Sequence, residues 1–412
     1  MLATAEPPEA APPGLAARID AATPPGRDRA VDALRAFAIL GVVLGHWLVT
    51  ALIVTGGGEL RAASPLAAMP AFTPISWALQ TLALFFLVGG YTAAKGYRPG
   101  DPWASWARRR LVRLVRPVPF LLAAWVPMAG ALLWAGLSPG TIHALIKLVL
   151  SPLWFLAVYG TLTALTPLIV GFHRRAGTLC ALAVVLALTA AIDLVRFGLD
   201  GPEWIGWATV LTGWLVPFLL GIAWADGTLG SRRAAASLLA GGVAATAALV
   251  ACAGYPASMV GVPGAEVSNL NPPTLAAVAF GIAQAGLALL VRDRLARWMR
   301  RPRAWAPVAL ANLAAMTIFL WHQTAMMAVT VAALTVTRTA PGLHTAPDHP
   351  AWALERLAWL PAFAAALAGL LALAHRFERT SRRACRRHAR PPGAPDGYDG
   401  SSPAPRRSRG SC

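Results

Sequence analysis

The residues best suited to chemistry in this chain stand in its first apolar segment, 31–54, which reads VDALRAFAILGVVLGHWLVTALIV. It holds one arginine, Arg35, and one histidine, His46, eleven residues apart. Eleven helical steps of ~100° return almost to the starting azimuth, so both side chains share a face with roughly 16 Å of rise between them. Ionisable groups inside a bilayer are costly and usually face a protein interior or a wet cavity. A neutral imidazole near the midplane can take a proton from a hydroxyl and return it to a leaving group. Asp32, one turn before Arg35, is a candidate ion-pair partner for it. The plain alternative for Arg35 is a snorkelling residue at the membrane boundary.

A second constellation is cationic. The run SWARRRLVRLVRPVPF carries Arg108, Arg109, Arg110, Arg113 and Arg116. Arg110, Arg113 and Arg116 recur every three residues, a stripe of guanidinium forks that suits the oxygens of a polyphosphate. A topological stop signal explains Arg108 and part of the rest. A further intramembrane imidazole, His322, stands in MTIFLWHQTAM and either shares a cavity with His46 or makes an ordinary interhelical hydrogen bond. Trp154 is read as a supporting residue or a plain aromatic-belt element, and Asp193 with Arg196 as a structural ion pair.

The elements that must position these groups are membrane helices. Of 412 residues, 57% are hydrophobic and only 13% charged, with mean hydropathy +0.56. A soluble domain carries about a quarter charged residues, so lipid is the main solvent expected. The net charge of +18 would suggest nucleic acid in a soluble protein. Here the arginines punctuate apolar runs, so they predict topology and no nucleic-acid partner. Cys180, Cys252, Cys385 and Cys412 have neither CxxC nor Cys/His spacing, and no metal site or disulfide framework is expected. No apolar h-region opens the chain, so no cleavable signal peptide is expected.

Ten apolar stretches are long enough to cross a bilayer: 31–54, 75–94, 114–136, 153–171, 178–197, 206–225, 234–254, 274–291, 307–335 and 352–375. Pro127 and Pro167 fall inside the third and fourth, as expected kinks. With the N-terminus inside, 28 of the 36 Lys and Arg lie in inner segments and five outside. That bias predicts two cytoplasmic termini and a multi-pass protein of the plasma membrane. The fold class expected is all-α and polytopic: a disordered tail 1–30, a transmembrane domain 31–375, and a disordered basic tail 376–412 suited to anionic lipid. No internal repeat is visible.

With these residues in order, the chain resembles the acyltransferase-3 family of membrane-bound acyltransferases. The resemblance rests on Arg35-x10-His46, TLALFFLVGGYTAAKGY (81–97), RRRLVRLVRP (108–117), PLWFLAVYGTLTALTP (152–167) and TIFLWHQ (317–323), and covers about 30–375. It implies transfer of an acyl group, commonly acetyl from acetyl-CoA, to a hydroxyl of a sugar, glycan or glycosylated metabolite. The acyl-CoA would be a co-substrate, with no bound cofactor. Arg35 and His46 become the catalytic signature, with Arg35 steadying either the donor or the developing negative charge. Arg110 and Arg113, flanked by Arg109 and Arg116, become the motif that meets CoA. His322, Asp32 and Trp154 are supporting residues. Whether His46 is a base or an acyl carrier stays open, as do acceptor, acyl length and oligomeric state. Two departures stand out: Gly89-Gly90 replaces a frequent serine, and no hydrolase-like domain follows, so any relay would fall to the transmembrane part alone. The competing expectation is a transporter or flippase for a polar or lipid-linked solute, with Arg35 and His46 lining its path.

Overall fold

The computed structural model describes residues 14–98, 100–337 and 339–388. In chain order it holds α1 (Leu15–Ala21), α2 (Arg29–Val49), a hairpin of β1 (Ala51–Val54) and β2 (Leu60–Ala63), α3 (Pro65–Ala68), α4 (Thr73–Leu79), α5 (Leu82–Gly96), α6 (Trp103–Val115) and α7 (Val118–Trp134). Then come α8 (Pro139–Leu150), α9 (Leu153–Ala164), α10 (Thr166–Asp193), α11 (Thr209–Ala225), α12 (Arg232–Cys252) and α13 (Leu275–Trp298). The chain finishes with α14 (Pro302–Leu313), α15 (Ala315–Val336), α16 (Pro350–Ala358) and α17 (Leu360–His388). Among the described residues, ten helical stretches are long and apolar enough to cross a membrane, so the protein is an all-α polytopic membrane protein.

Helices α2, α5, α11, α13 and α15 form the enclosed centre, while α7, α10, α12 and α17 lie outside them with most of their surface uncovered. Close backbone approach sets the centre. A Cβ at Gly90 would stand 2.0 Å from the Phe218 carbonyl oxygen, and one at Gly221 2.0 Å from that of Leu87. Only glycine therefore lets α5 and α11 meet at this separation. Small residues serve this purpose in membranes, where helices gain little by hiding apolar surface from equally apolar lipid.

The bundle has two distinct ends. At one, here the hairpin end, Val54 N–H donates to the His344 carbonyl (3.1 Å), Leu60 N–H to Thr141 Oγ1 (2.9 Å) and Met259 N–H to Ser76 Oγ (3.2 Å). At the arginine end, Arg292 meets Asp28 (3.2 Å), Arg29 donates to the Met299 carbonyl (3.1 Å) and His173 meets Asp226 (2.5 Å).

Several expected boundaries move. The first span stops at Val49, not 54, and residues 51–54 become a strand. The third is preceded by a separate amphipathic helix, α6, ending before Arg116-Pro117. Pro167 does not kink a span: the chain breaks at Leu165 and Pro167 occupies the first turn of α10, where its missing N–H leaves no helical bond unmade. The expected turn at 172–177 survives as a non-helical Gly177 (φ 76°, ψ 162°) inside α10. The ninth span divides into α14 and α15 at Ala314.

Part of the expected N-terminal tail is folded. Helix α1 lies against α14, with Trp305 Nε1 donating to Thr23 Oγ1 (2.7 Å) and Arg29 pairing with Asp20 (2.6 Å). That burial of indole and paired charge orders a segment whose composition alone looked unstructured. Helix α17 continues past 375 to His388, and the rest of the expected tails, 1–13 and 389–412, falls outside the described residues.

Candidate active site

Asp28 starts the helix that carries the site. Its carboxylate accepts from the N–H groups of Ala30 and Val31 (both 3.2 Å), the usual satisfaction of orphan donors at a helix N-terminus. From there α2 runs 21 residues and presents Arg35 and His46 to one neighbouring pair of helices. Arg35 Nη1 donates to Asn312 Oδ1 on α14 (3.4 Å), and His46 contacts His322 on α15. The shared face expected from the eleven-residue spacing is thus the face turned to α14–α15.

His46 Nδ1 lies 2.7 Å from His322 Nε2, the rings nearly parallel at 17° with centroids 4.9 Å apart. His322 is fully buried and its Nδ1 is 2.7 Å from the Phe319 carbonyl oxygen. A carbonyl can only accept, so His322 carries its proton on Nδ1. A neutral ring then has a bare Nε2, which accepts from His46 Nδ1–H. His46, neutral in turn, keeps a bare Nε2, and that atom makes no hydrogen bond among the described residues. One backbone carbonyl therefore fixes the tautomers of two histidines and leaves a basic lone pair at the end of the chain. Trp47 locks the register, its Nε1 donating to the His322 carbonyl (3.0 Å).

His344 at the hairpin end shows what a structural histidine looks like here. Its Nδ1 accepts from Ala340 N–H (3.0 Å) and its Nε2 reaches the Thr330 carbonyl (2.9 Å), so both nitrogens are used. Burial pushes this imidazole below its ordinary range.

Aromatic rings connect the histidines to the arginine end. Phe319 packs on Phe155 at 5.2 Å, and Phe155 on Phe85 at 5.2 Å and on Tyr159 at 5.7 Å. Trp154, one-third exposed, stands edge-on to Phe155 and leans on Trp214. Tyr159, Arg35 and Arg113 are all close enough to Arg110 to interact with its charge. The half-buried Arg110 donates to the Thr92 carbonyl (3.1 Å) and lies 4.8 Å over the Trp106 ring. Asp32, nearly buried, pairs with both Arg27 (2.6 Å) and Arg35 (3.1 Å).

Of the residues singled out by sequence, the structure groups Arg35, Asp32, Arg110 and Arg113 at one place and His46 with His322 at another. The rings of Tyr159, Phe155 and Phe319 lie between. Arg109 and Arg116 stay outside this grouping: both are exposed, and Arg109 bonds only Ser105 Oγ (3.3 Å).

Sequence reasoning missed Arg356, which it counted among the outer charges. This arginine is 1% exposed. It donates to the carbonyls of Trp47 (2.6 Å), Thr50 (2.7 Å) and Gly342 (3.1 Å), capping the end of α2 beside His46. An arginine directly before an apolar run was the available signal. Asn312 and Phe319 were also missed, although a residue three before His322 on the same helix is the natural carbonyl partner for its ring.

A family model described as an acyltransferase domain matches residues 28–375. No curated protein and no solved structure matches the chain.

Proposed function

The chain belongs to the acyltransferase family whose model covers residues 28–375, and from that premise we propose that it moves an acetyl group from acetyl-CoA to a hydroxyl of a sugar, glycan or glycosylated metabolite. The observation that carries the proposal is the tautomer chain from the Phe319 carbonyl through His322 to the bare Nε2 of His46.

His46 Nε2 accepts the acceptor hydroxyl's proton as the oxygen attacks the thioester carbonyl. The tetrahedral intermediate collapses by breaking the carbon–sulfur bond, and the imidazolium returns the proton to the departing CoA thiolate. The ring ends as it began, and the ester and the free thiol are the products. His322 does not touch substrate in this scheme. It holds the Nδ1 proton of His46 in place, so the lone pair stays on Nε2 and the ring keeps its direction. An imidazolium forming on His46 is steadied by the acceptor nitrogen of His322, which the Phe319 carbonyl keeps unprotonated.

Arg35, Arg110 and Arg113 receive the CoA phosphates, each guanidinium offering forked donors to phosphate oxygens. The electrostatic interaction of Arg35 with Arg110 supports a donor role for it over contact with the reacting carbonyl. Arg109 and Arg116, exposed beside that group, add attraction for the polyanion. The charge bias supports placing this end in the cytoplasm, with both termini, and the protein in the plasma membrane. The coenzyme would then enter from its own compartment. The packed rings of Tyr159, Phe155 and Phe319 lie between the two groups and would have to part to admit the coenzyme's arm.

The test is transfer of labelled acetyl from acetyl-CoA to carbohydrate acceptors by purified protein in bilayers. His46→Gln should lower the rate by about 10²–10⁴, the usual contribution of a positioned base. Near-wild-type transfer by that variant would remove His46 from the chemistry.

A further inference from the structure

A second cationic cluster has a lining that includes none of Arg35, Arg110 and Arg113. Where α12 begins and α13 ends, a cavity of about 130 Å³ is lined by Arg232, Arg292, Arg294 and Arg297 against one carboxylate, Asp293. The side chains of Arg232, Arg294 and Arg297 make no hydrogen bond or ion pair among the described residues. Arg292 reaches Asp28 with Nη2 (3.2 Å) and covers the Trp224 ring at 5.5 Å, but its Nε is buried with no acceptor. The first turn of α12 opens into the same space. Its cap, Ser231 Oγ, takes only the Ala234 N–H (3.1 Å), which leaves the Arg232 and Arg233 amides without an intrahelical partner. One buried guanidinium nitrogen without an acceptor, three exposed guanidinium groups and a helix N-terminus around one small space suit an anion with several acceptor oxygens.

The remaining lining decides what carries that anion. Leu229, Leu289 and Leu290 complete the wall, so charge and hydrocarbon meet at one place. A soluble anion has no use for the leucines. Pockets for nucleotide-sized ligands run to roughly 300–1,000 Å³, well above this volume. We propose that this cavity holds the phosphate of an anionic phospholipid headgroup, with its acyl chains along the α12–α13 surface. Basic pockets between membrane helices take such headgroups by the same combination of forces.

The test is mass spectrometry of the intact detergent-solubilised protein titrated with phosphatidylglycerol, with phosphatidylcholine as the zwitterionic control. The wild type should retain one more phosphatidylglycerol than Arg232→Gln/Arg294→Gln/Arg297→Gln, whose affinity at this site should fall at least tenfold. Phosphatidylcholine should not substitute, and acetyl-CoA should not displace the lipid. Equal retention by both proteins would overturn the proposal. Displacement by acetyl-CoA would overturn it too, by making the cavity a subsite for the soluble coenzyme. Should the triple variant fail to fold, Arg294→Gln alone, an exposed position on α13, should weaken retention about threefold, and unchanged retention would again count against the site.

Discussion

A histidine works as a base at neutral pH when its free nitrogen is unprotonated, accessible and held toward the hydroxyl. The first of these traces to single atoms here. The Phe319 carbonyl fixes the proton on His322, His322 fixes the proton on His46, and Nε2 of His46 is what remains. His322→Gln, which can still accept from His46 Nδ1, should retain more activity than His322→Leu, which cannot. The gap should appear in kcat and in the pH profile, with KM for acetyl-CoA little changed. Equal loss in both variants would leave His322 a packing residue. At the donor end, Arg110→Ala with Arg113→Ala should raise KM for acetyl-CoA about tenfold or more and leave kcat nearly intact, since phosphate contacts far from the reacting carbonyl bind ground state and transition state alike. An unchanged KM would return these arginines to topology alone. Arg35, His46 and His322 were legible in the sequence because charge and imidazole are conspicuous against apolar runs. The direction of each proton was not, because it depends on a backbone carbonyl that sequence does not distinguish from any other.

Among the elements, α2 is held at both ends by groups outside it. Asp28 caps the start, and Arg356 from α16 takes the carbonyls of Trp47 and Thr50 at the finish. Arg356→Leu should cost about 1–3 kcal/mol for each buried carbonyl left without a donor, and thermal melting should show a marked fall. A melting temperature within a degree of wild type would contradict the capping role. Gly221→Ala should be equally damaging, because its Cβ would meet backbone of α5 and not a side chain able to swing away. A pH effect belongs to the contact between α10 and the C-terminal end of α11, where His173 meets Asp226. Burial works against the Asp226 charge, but hydrogen bonds from Thr228 and then His173 hold its carboxyl below the usual carboxylate range. A depressed carboxyl stabilises the fold above its unfolded pKa, near 3.9 for a free aspartate, and loses that contribution as pH falls through the folded value. Wild-type melting should therefore drop on acidification more than that of Asp226→Asn, and parallel curves would contradict the coupling. Hydropathy found the spans but misplaced several ends. The hairpin after Val49, the break at Leu165 and the separate α6 are set by caps, prolines and tertiary partners that mean hydropathy averages away.

Across the whole molecule, ten spans and their order follow from the sequence because lipid imposes one strong rule: apolar runs of about twenty residues must be helices. Arg35 and His46 sit on one helix, roughly 16 Å apart along its axis. Arg35 stands near one end of α2, and His46, in contact with His322, stands further along it. Under the proposed function, this arrangement would join a soluble donor on one side to an acceptor approaching from the other. It predicts that acetyl-CoA supplied only on the arginine side of a bilayer supports transfer, and that the same donor supplied opposite does not. Equal use from both sides would contradict the arrangement. The most direct measurement is transfer of labelled acetyl to carbohydrate by wild type and His46→Gln reconstituted side by side, each with its melting temperature recorded. The variant should fold, and its transfer should fall by about 10² or more. A folded variant that transfers at the wild-type rate would contradict it.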